Sequence, residues 1–336
     1  MARTAVLGAG SWGTTLALVL NENDNPVTLW EFDPPQAEAL LRDRENRKFL
    51  PDVPIPERIG ITTDMNGALA DAEAAVFAVP SHVVREVAAA ARSALRSDAL
   101  VVNVAKGIEN QTLMRMSEVL SEELGRPGAR RIGSLVGPSH AEEVSCRLPT
   151  TVVAAANDEE TAVAIRGLFV TDYLRVYTNT DLVGVELGVS LKNVIAIAAG
   201  ICDGLGFGDN TKGALLTRGL AEITRLGVSM GGRLETFAGL SGMGDLITTC
   251  CSRHSRNRHV GEQIAAGRTL DEILDSMVMV AEGVRTTESA VALARSHAVE
   301  MPITDQMHLV LFEGKDPAEA IRDLMLRDPK SEIRTS

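Results

Sequence analysis

The sequence predicts an α/β fold, a doubly wound sheet domain over residues 1–182 followed by an all-α domain over residues 183–336. Three observations lead there. Short β-branched runs alternate with helical stretches as far as residue 177, strand signals stop after about residue 182, and a glycine-rich turn joins the first strand directly to the first helix. A chain of 336 residues accommodates two domains at about 100–200 residues each. Its 45% hydrophobic and 23% charged residues are those of an ordinary globular protein with a mostly aliphatic core.

Strands are expected at residues 5–7, 27–30, 59–62, 75–78, 100–103, 132–136, 151–155 and 174–176, each a short apolar run bounded by Gly, Pro, Asn or Asp. Residues 14–20, 81–92, 113–124 and 159–169 carry apolar side chains at helical spacing, so crossover helices join strands that run parallel. Residues 51–56 are proline-rich and read as a stiff loop. Beyond residue 182, helices are expected at 184–202, 215–230, 270–277, 286–297 and 317–326, with a frayed tail after Asp328.

The formal net charge of -12 argues against nucleic acid as a partner, because phosphate backbones are gripped by a clustered basic face. Cys146, Cys202, Cys250 and Cys251 form no C-x-x-C pair in a chain too large to need stapling, and read as reduced thiols. Met1-Ala2-Arg3-Thr4 runs straight into a strand without a signal-type segment, so a cytoplasmic location is expected. The most apolar stretch, 183–201, is interrupted by Glu186, Lys192 and Asn193, which marks a buried helix carrying a polar site and not a membrane span. The histidines and cysteines lack ligand spacing, so no metal site is expected, and Ser241 lacks the G-x-S-x-G setting of an acyl-transfer nucleophile.

Positive chemistry begins with Ala5-Val6-Leu7-Gly8-Ala9-Gly10-Ser11-Trp12-Gly13. A G-x-G-x-x-G between a strand and a helix is a Rossmann-type dinucleotide turn: Gly8 makes the tight turn, Gly10 admits a pyrophosphate to the backbone, and Gly13 lets helix and strand pack closely. The helix N-terminus then offers free amides and positive dipole to the phosphates. At the end of the second strand stand Glu31 and Phe32. Glu31 suits the adenosine ribose hydroxyls and repels a 2′-phosphate, which favours NAD(H) over NADP(H); Arg42, Arg44, Arg47 and Lys48 follow as the cations nearest in sequence.

Two lysines carry candidate reaction chemistry. Lys106 lies just past the carboxyl end of a strand, where open sheets bind ligands. Lys192 lies inside the apolar 184–202 helix, where it snorkels to solvent, pairs with Glu186, or is desolvated into a proton donor and acceptor for a carbonyl/hydroxyl pair. Asp245, in Gly242-Met243-Gly244-Asp245-Leu246, stands ready to orient one of the lysines, and Ser252 to Arg258 offers an arginine with hydroxyl and amide donors suited to a phosphate monoester.

These residues together resemble the bacterial NAD(P)-dependent sn-glycerol-3-phosphate dehydrogenases over nearly the whole chain. The resemblance is carried by Gly8-Ala9-Gly10-Ser11-Trp12-Gly13-Thr14, Asn46-Arg47-Lys48-Phe49-Leu50-Pro51, Val79-Pro80-Ser81, Ala105-Lys106-Gly107, Gly137-Pro138-Ser139-His140-Ala141, Leu191-Lys192-Asn193, Thr217-Arg218-Gly219, Gly242-Met243-Gly244-Asp245-Leu246, Ser255-Arg256-Asn257-Arg258 and Glu282-Gly283. It implies reversible conversion of sn-glycerol 3-phosphate to dihydroxyacetone phosphate, feeding glycerophospholipid synthesis in the cytoplasm, by a homodimer using NAD(H) or NADP(H). It makes Lys192 the catalytic acid/base and assigns substrate contacts to Lys106, Gly137, Ser139, Asp245, Ser255, Arg256 and Asn257. Cofactor contacts fall to Ser11, Trp12, Lys106, Ala141, Arg256, Val280 and Glu282. The family often has a basic residue or histidine where this chain has Glu31-Phe32. Two other readings share the outline: a related β-hydroxyacid dehydrogenase, and a non-catalytic dinucleotide sensor, against which the retention of both lysines, Asp245 and Arg256 argues.

Overall fold

The computed structural model describes residues 1–125, 131–329 and 331. Its strands are β1 (Thr4–Leu7), β2 (Val27–Trp30), β3 (Glu45–Asn46), β4 (Leu50–Pro54), β5 (Gly60–Thr62), β6 (Ala74–Phe77), β7 (Leu100–Asn103), β8 (Ile132–Val136), β9 (Thr150–Ala156) and β10 (Leu174–Asn179). Eight of them form one sheet in the order β10-β9-β8-β7-β6-β1-β2-β5. β1 is flanked by β2 and β6, so the order reverses beside it, which is where an open α/β sheet opens a ligand crevice. The helices of this half are α1 (Ser11–Glu22), α2 (Pro34–Asp43), α3 (Met65–Leu69), α4 (Val84–Ala91), α5 (Met116–Glu123), α6 (Ala141–Ser145) and α7 (Glu159–Phe169).

Alternation along each strand divides the core between the two faces of the sheet. Val6, Leu29, Val76 and Val102 pack with Leu16 and Leu20 of α1 and Ile165 and Phe169 of α7. Leu7, Phe77 and Val101 pack on the other face with Val84 and Ala88 of α4 and Val119 and Leu120 of α5.

Three expectations are corrected. The sheet is mixed: β8 and β9 are antiparallel, because the chain turns back at Gly137 (φ 141°) with only the short α6 between the strands and never crosses over the sheet. Residues 51–56 are not simply a loop, for β4 pairs with β3 in a two-stranded hairpin, an edge position where prolines are tolerated. The 113–124 helix starts only at Met116; Leu113 takes φ 61° and Arg115 bridges to Ile108. The tail expected to fray after Asp328 falls largely outside the described residues.

From Leu182 onward the described elements are helical: α8 (Leu182–Gly204), α9 (Asp209–Ser229), α10 (Leu234–Phe237), α11 (Asp245–Cys251), α12 (Arg256–Ala265), α13 (Leu270–Ser276), α14 (Glu282–Ser296), α15 (Pro302–Phe312) and α16 (Pro317–Met325). α8 is buried almost all round, at the centre of a cluster with α9, α11, α12 and α14, which explains why its apolar residues show no single face. Backbone touches backbone where α12 crosses it: a Cβ on Gly261 would stand 2.0 Å from the Ile197 carbonyl oxygen. Asp181 starts the helix, its carboxylate accepting from the Gly184 and Arg233 amides and the Thr236 hydroxyl. One turn on, the buried Glu186 accepts from Arg115 Nη1 (2.8 Å), the Ser117 amide and hydroxyl (3.1 and 2.6 Å) and the Ser134 hydroxyl (2.9 Å). It is therefore bound to α5 and β8 and does not pair with Lys192.

Candidate active site

Steric need accounts for the glycine turn. Gly8 has φ 110°, and a Cβ there would lie 2.7 Å from the Ala78 carbonyl oxygen; a Cβ on Gly13 would lie 1.9 Å from that of Gly8. Gly10 differs, since a Cβ there meets nothing within 4 Å. It opens onto free space at the start of α1, whose first amides lack helical partners and have no side-chain cap. That cradle fits a dinucleotide pyrophosphate. Ser11 begins the helix with its hydroxyl 3.9 Å from Met279 Sδ, and Trp12 packs partly buried against the sheet core.

Sequence reasoning gave Asn46 no role of its own. Fully buried in the β3–β4 hairpin, it donates through Nδ2 to the Ala9 carbonyl and the Thr14 hydroxyl, both at 2.8 Å, and accepts from Gln36. The hairpin thus braces the phosphate turn. Glu31 ends β2 beside that turn, 4% exposed, its pKa raised by burial against the opposing amides of Asp33 and Ala9. Phe32 points outward at 75% exposure. Arg42 pairs with Asp43, Arg44 with Glu57, and Arg47 with Asp43 and Glu45, while Lys48 lies over the Phe49 ring.

The two lysines meet at one carboxylate. Asp245 opens α11 directly after a π-helical turn at Leu240–Gly244, a local distortion common at functional sites. Its Oδ1 lies 2.9 Å from Lys192 Nζ and its Oδ2 3.1 Å from Lys106 Nζ. Lys106 also donates to the Gly137 carbonyl at 2.7 Å, and Lys192 to the Thr249 hydroxyl one turn along α11. Asp245 and Lys192 are 2% and 4% exposed, so Lys192 does not reach solvent, whereas Lys106 keeps 20% of its side chain open. Burial pulls the Lys192 pKa down to about 8, with Asp245 opposing and Lys106 adding to the fall. Burial pushes the Asp245 carboxyl up, but the two ammonium groups outweigh it and hold it below its usual value. A buried ammonium poised near neutral pH can both give and take a proton.

Around this triad the remaining residues take different positions. Ser139 bonds its hydroxyl to the Gly137 carbonyl, and Ala141 starts α6 with its carbonyl near the Thr15 hydroxyl of α1. Ser255 caps α12 by accepting from the Arg258 amide, leaving the first amides of α12 without helical partners; the exposed Arg256 donates to the Val280 carbonyl at 3.0 Å. Asn257 is committed elsewhere: its side chain donates to Asn193 and accepts from the Gly283 amide, and Asn193 in turn donates to the Lys106 carbonyl. Glu282 is engaged as well, accepting from the Ser81 amide at 2.8 Å and from the Ser81 hydroxyl across the junction between the two halves. Thr249 was not singled out in the sequence, and Asn193 and Ser81 appeared there only within motifs, because each meets its partner more than 50 positions away.

Residues 3–162 match the N-terminal family described as NAD-dependent glycerol-3-phosphate dehydrogenase, and residues 181–322 match its C-terminal counterpart. A relative from Pelotomaculum thermopropionicum, named glycerol-3-phosphate dehydrogenase (NAD(P)+), is 53% identical over 331 residues, covering 98% of this chain and 95% of its own. The same-named protein of Chlorobium limicola is also 53% identical, covering 98% and 99%. The crystal structure of glycerol-3-phosphate dehydrogenase from Coxiella burnetii superposes with a TM-score of 0.92 at 36% identity, over 97% of this chain and 99% of that one. With both halves matched and relatives more than half identical over nearly the whole chain, the chain belongs to the NAD-dependent glycerol-3-phosphate dehydrogenase family.

Proposed function

We propose that the protein interconverts sn-glycerol 3-phosphate and dihydroxyacetone phosphate with NAD(H) or NADP(H). The observation that carries this reading is a pair of lysines sharing one buried carboxylate in the crevice of a dinucleotide-type sheet. The dinucleotide, held at Gly8, Gly10, Ser11, Trp12 and Gly13, supplies the hydride. In the reducing direction Lys192 gives its proton to the central oxygen as the carbonyl carbon is reduced, and in the oxidising direction neutral Lys192 takes it back. Lys106, fixed by Asp245 and the Gly137 carbonyl, polarises that oxygen. Asp245 keeps enough positive charge on the pair for both roles.

The phosphate rests on Arg256 and the free amides at the start of α12, where the helix dipole adds to the arginine charge. Glu31 favours NADH, since a 2′-phosphate at that buried strand end meets a carboxylate, and Arg42, Arg44 and Arg47 are already paired. In this reading residues 1–182 hold the cofactor and residues 183–336 the substrate. A cytoplasmic homodimer supplying glycerol 3-phosphate for glycerophospholipids, without nucleic-acid partners, is supported by the family resemblance and the charge of -12.

The test follows nicotinamide absorbance with NADH and NADPH in parallel, with dihydroxyacetone phosphate added. Turnover with a higher kcat/KM for NADH is expected, and no oxidation of either cofactor refutes the reaction. Lys192→Ala is expected to cut turnover by about 10²–10⁴ in a folded protein; near-normal turnover refutes the proton role.

A further inference from the structure

Lys106 meets Asp245 and the Gly137 carbonyl through its Nζ, but a lysine stem has several rotatable bonds, so the ammonium is placed no better than the backbone from which it starts. The peptides beyond that start are held by α8: Asn193 donates to the Lys106 carbonyl and Ser190 to the Gly107 carbonyl, both at 3.2 Å. On the near side the chain leaves β7 at Asn103, a fully buried amide that closes the apolar run Leu100-Val101-Val102. Burying a carboxamide there is costly unless its donors and acceptor are met. The residue just before Lys106 meets them: Asn103 Oδ1 accepts from the Ala105 amide at 3.0 Å, and Nδ2 donates to the Ala105 carbonyl at 3.1 Å. Nδ2 also donates to the Ser134 hydroxyl at 3.3 Å, which itself donates to Glu186, the carboxylate that seats α8 on the sheet.

We propose that Asn103 is a positioning residue of the reaction: it fixes the peptide from which Lys106 reaches Asp245 and the substrate oxygen, and it bears on turnover through that lysine. This rests on the reaction proposed above. Ala105 is itself buried, so without the Asn103 side chain its amide and its carbonyl each lose a partner that water does not readily replace. The turn then relaxes toward other partners and carries the root of Lys106 with it. A polarising ammonium works at a pre-set distance, and a displacement of about 1 Å at a reacting group costs on the order of 10²-fold in rate. The Glu186 that sets Lys192 along α8 thus also reaches Lys106, through Ser134 and Asn103. One buried chain of hydrogen bonds sets the spacing of both ammonium groups about Asp245.

The experiment is a double-mutant cycle on the reduction of dihydroxyacetone phosphate by NADH. Asn103→Ala alone is expected to lower kcat about 10- to 100-fold with little change in KM, because polarisation of the oxygen is felt mainly in the transition state. In a Lys106→Ala background, itself slowed by about 10²–10³, the same substitution is expected to change kcat by less than about 3-fold, since the group it positions is gone. A general loosening of the fold would multiply the two losses, so an equal factor in both backgrounds overturns the proposal. Native kcat in a folded Asn103→Ala overturns it as well. Asn103→Ser keeps an acceptor for the Ala105 amide in a turn of the same kind but cannot reproduce both donations, and is expected to lose about 3- to 10-fold. Should circular dichroism and Tm show Asn103→Ala unfolded, Asn103→Ser carries the cycle: no loss, or a loss that persists without Lys106, overturns the proposal. Absence of turnover in the wild type removes the reaction itself, whereas native turnover indifferent to position 103 removes only the role of Asn103.

Discussion

Asp245→Asn isolates the electrostatics of the site, because the amide keeps the size of the side chain and removes only its charge. At 2.9 Å and an effective dielectric of about 20, the attraction between Asp245 and the Lys192 ammonium is about 6 kcal/mol. If rearrangement of neighbouring dipoles recovers half of that, the remaining loss of about 3 kcal/mol moves a pKa by roughly two pH units. Lys192, held at about 8 in the native protein, would then titrate near 6. At pH 7.5 the protonated fraction falls from about three quarters to about 3%, a drop of roughly 25-fold in the form that donates to the ketone. The assay is the pH dependence of kcat for ketone reduction, compared with the wild type in proteins whose circular dichroism and Tm show them folded. In the wild type kcat should decline as pH rises past about 8, and in Asp245→Asn that decline should begin near pH 6. A folded variant that loses activity evenly at every pH, with the decline still near 8, would refute the claim that Asp245 sets the lysine charge.

Three further outcomes are expected. Gly13→Ala should weaken dinucleotide binding at least about 10-fold in a fluorescence titration and cost about 1–3 kcal/mol of stability, because its Cβ collides with the Gly8 carbonyl at 1.9 Å. Arg256→Ala should raise KM for the phosphate ester about 10- to 100-fold with a smaller effect on kcat; an unchanged KM in steady-state kinetics would place the phosphate elsewhere. Glu222, buried where it accepts from the Ile303 and Thr304 amides at the start of α15, has its pKa pushed up by burial to about 7 from 4.5. A carboxyl raised on folding contributes stability that is complete below pH 4.5 and lost as pH rises through 7. Glu222→Gln should therefore gain on the wild type, by up to about 3 kcal/mol, between pH 5 and pH 8 in denaturant unfolding; a constant difference across that range refutes it.

What the sequence made legible is what local chemistry decides. The β1 turn into α1 could be read because its glycine spacing between a strand and a helix is a local pattern, even though the Ala78 carbonyl that Gly8 must clear lies outside that unit. Lys192 stood out because a cation in the middle of an apolar helix conflicts with its surroundings. The direction of β9 could not be read, since the alternation of strand and helix is the same whether a chain crosses the sheet or turns back at Gly137. Prolines hid the β3–β4 hairpin, and with it the support that Asn46 gives to Ala9 and Thr14. Asp245 was expected to orient one lysine, and its grip on both depends on bringing residues 106, 192 and 245 together from separate elements. The side chain of Asn257 is tied to Asn193 and Gly283, partners that no spacing rule connects to it, which leaves only its backbone amide for the substrate contact expected of it.

The Glu186 junction has a mechanical consequence. α8 is one continuous rod, bolted to β8 and α5 by that carboxylate and holding Lys192 less than two turns farther along. Lys192 is thereby registered to the sheet, although Asp245 and Thr249, its polar partners, belong to the helical half. The other ties between the halves near the glycine turn are slighter: Glu282 on Ser81, and the Met279–Val280 segment, whose sulfur and carbonyl meet Ser11 and Arg256.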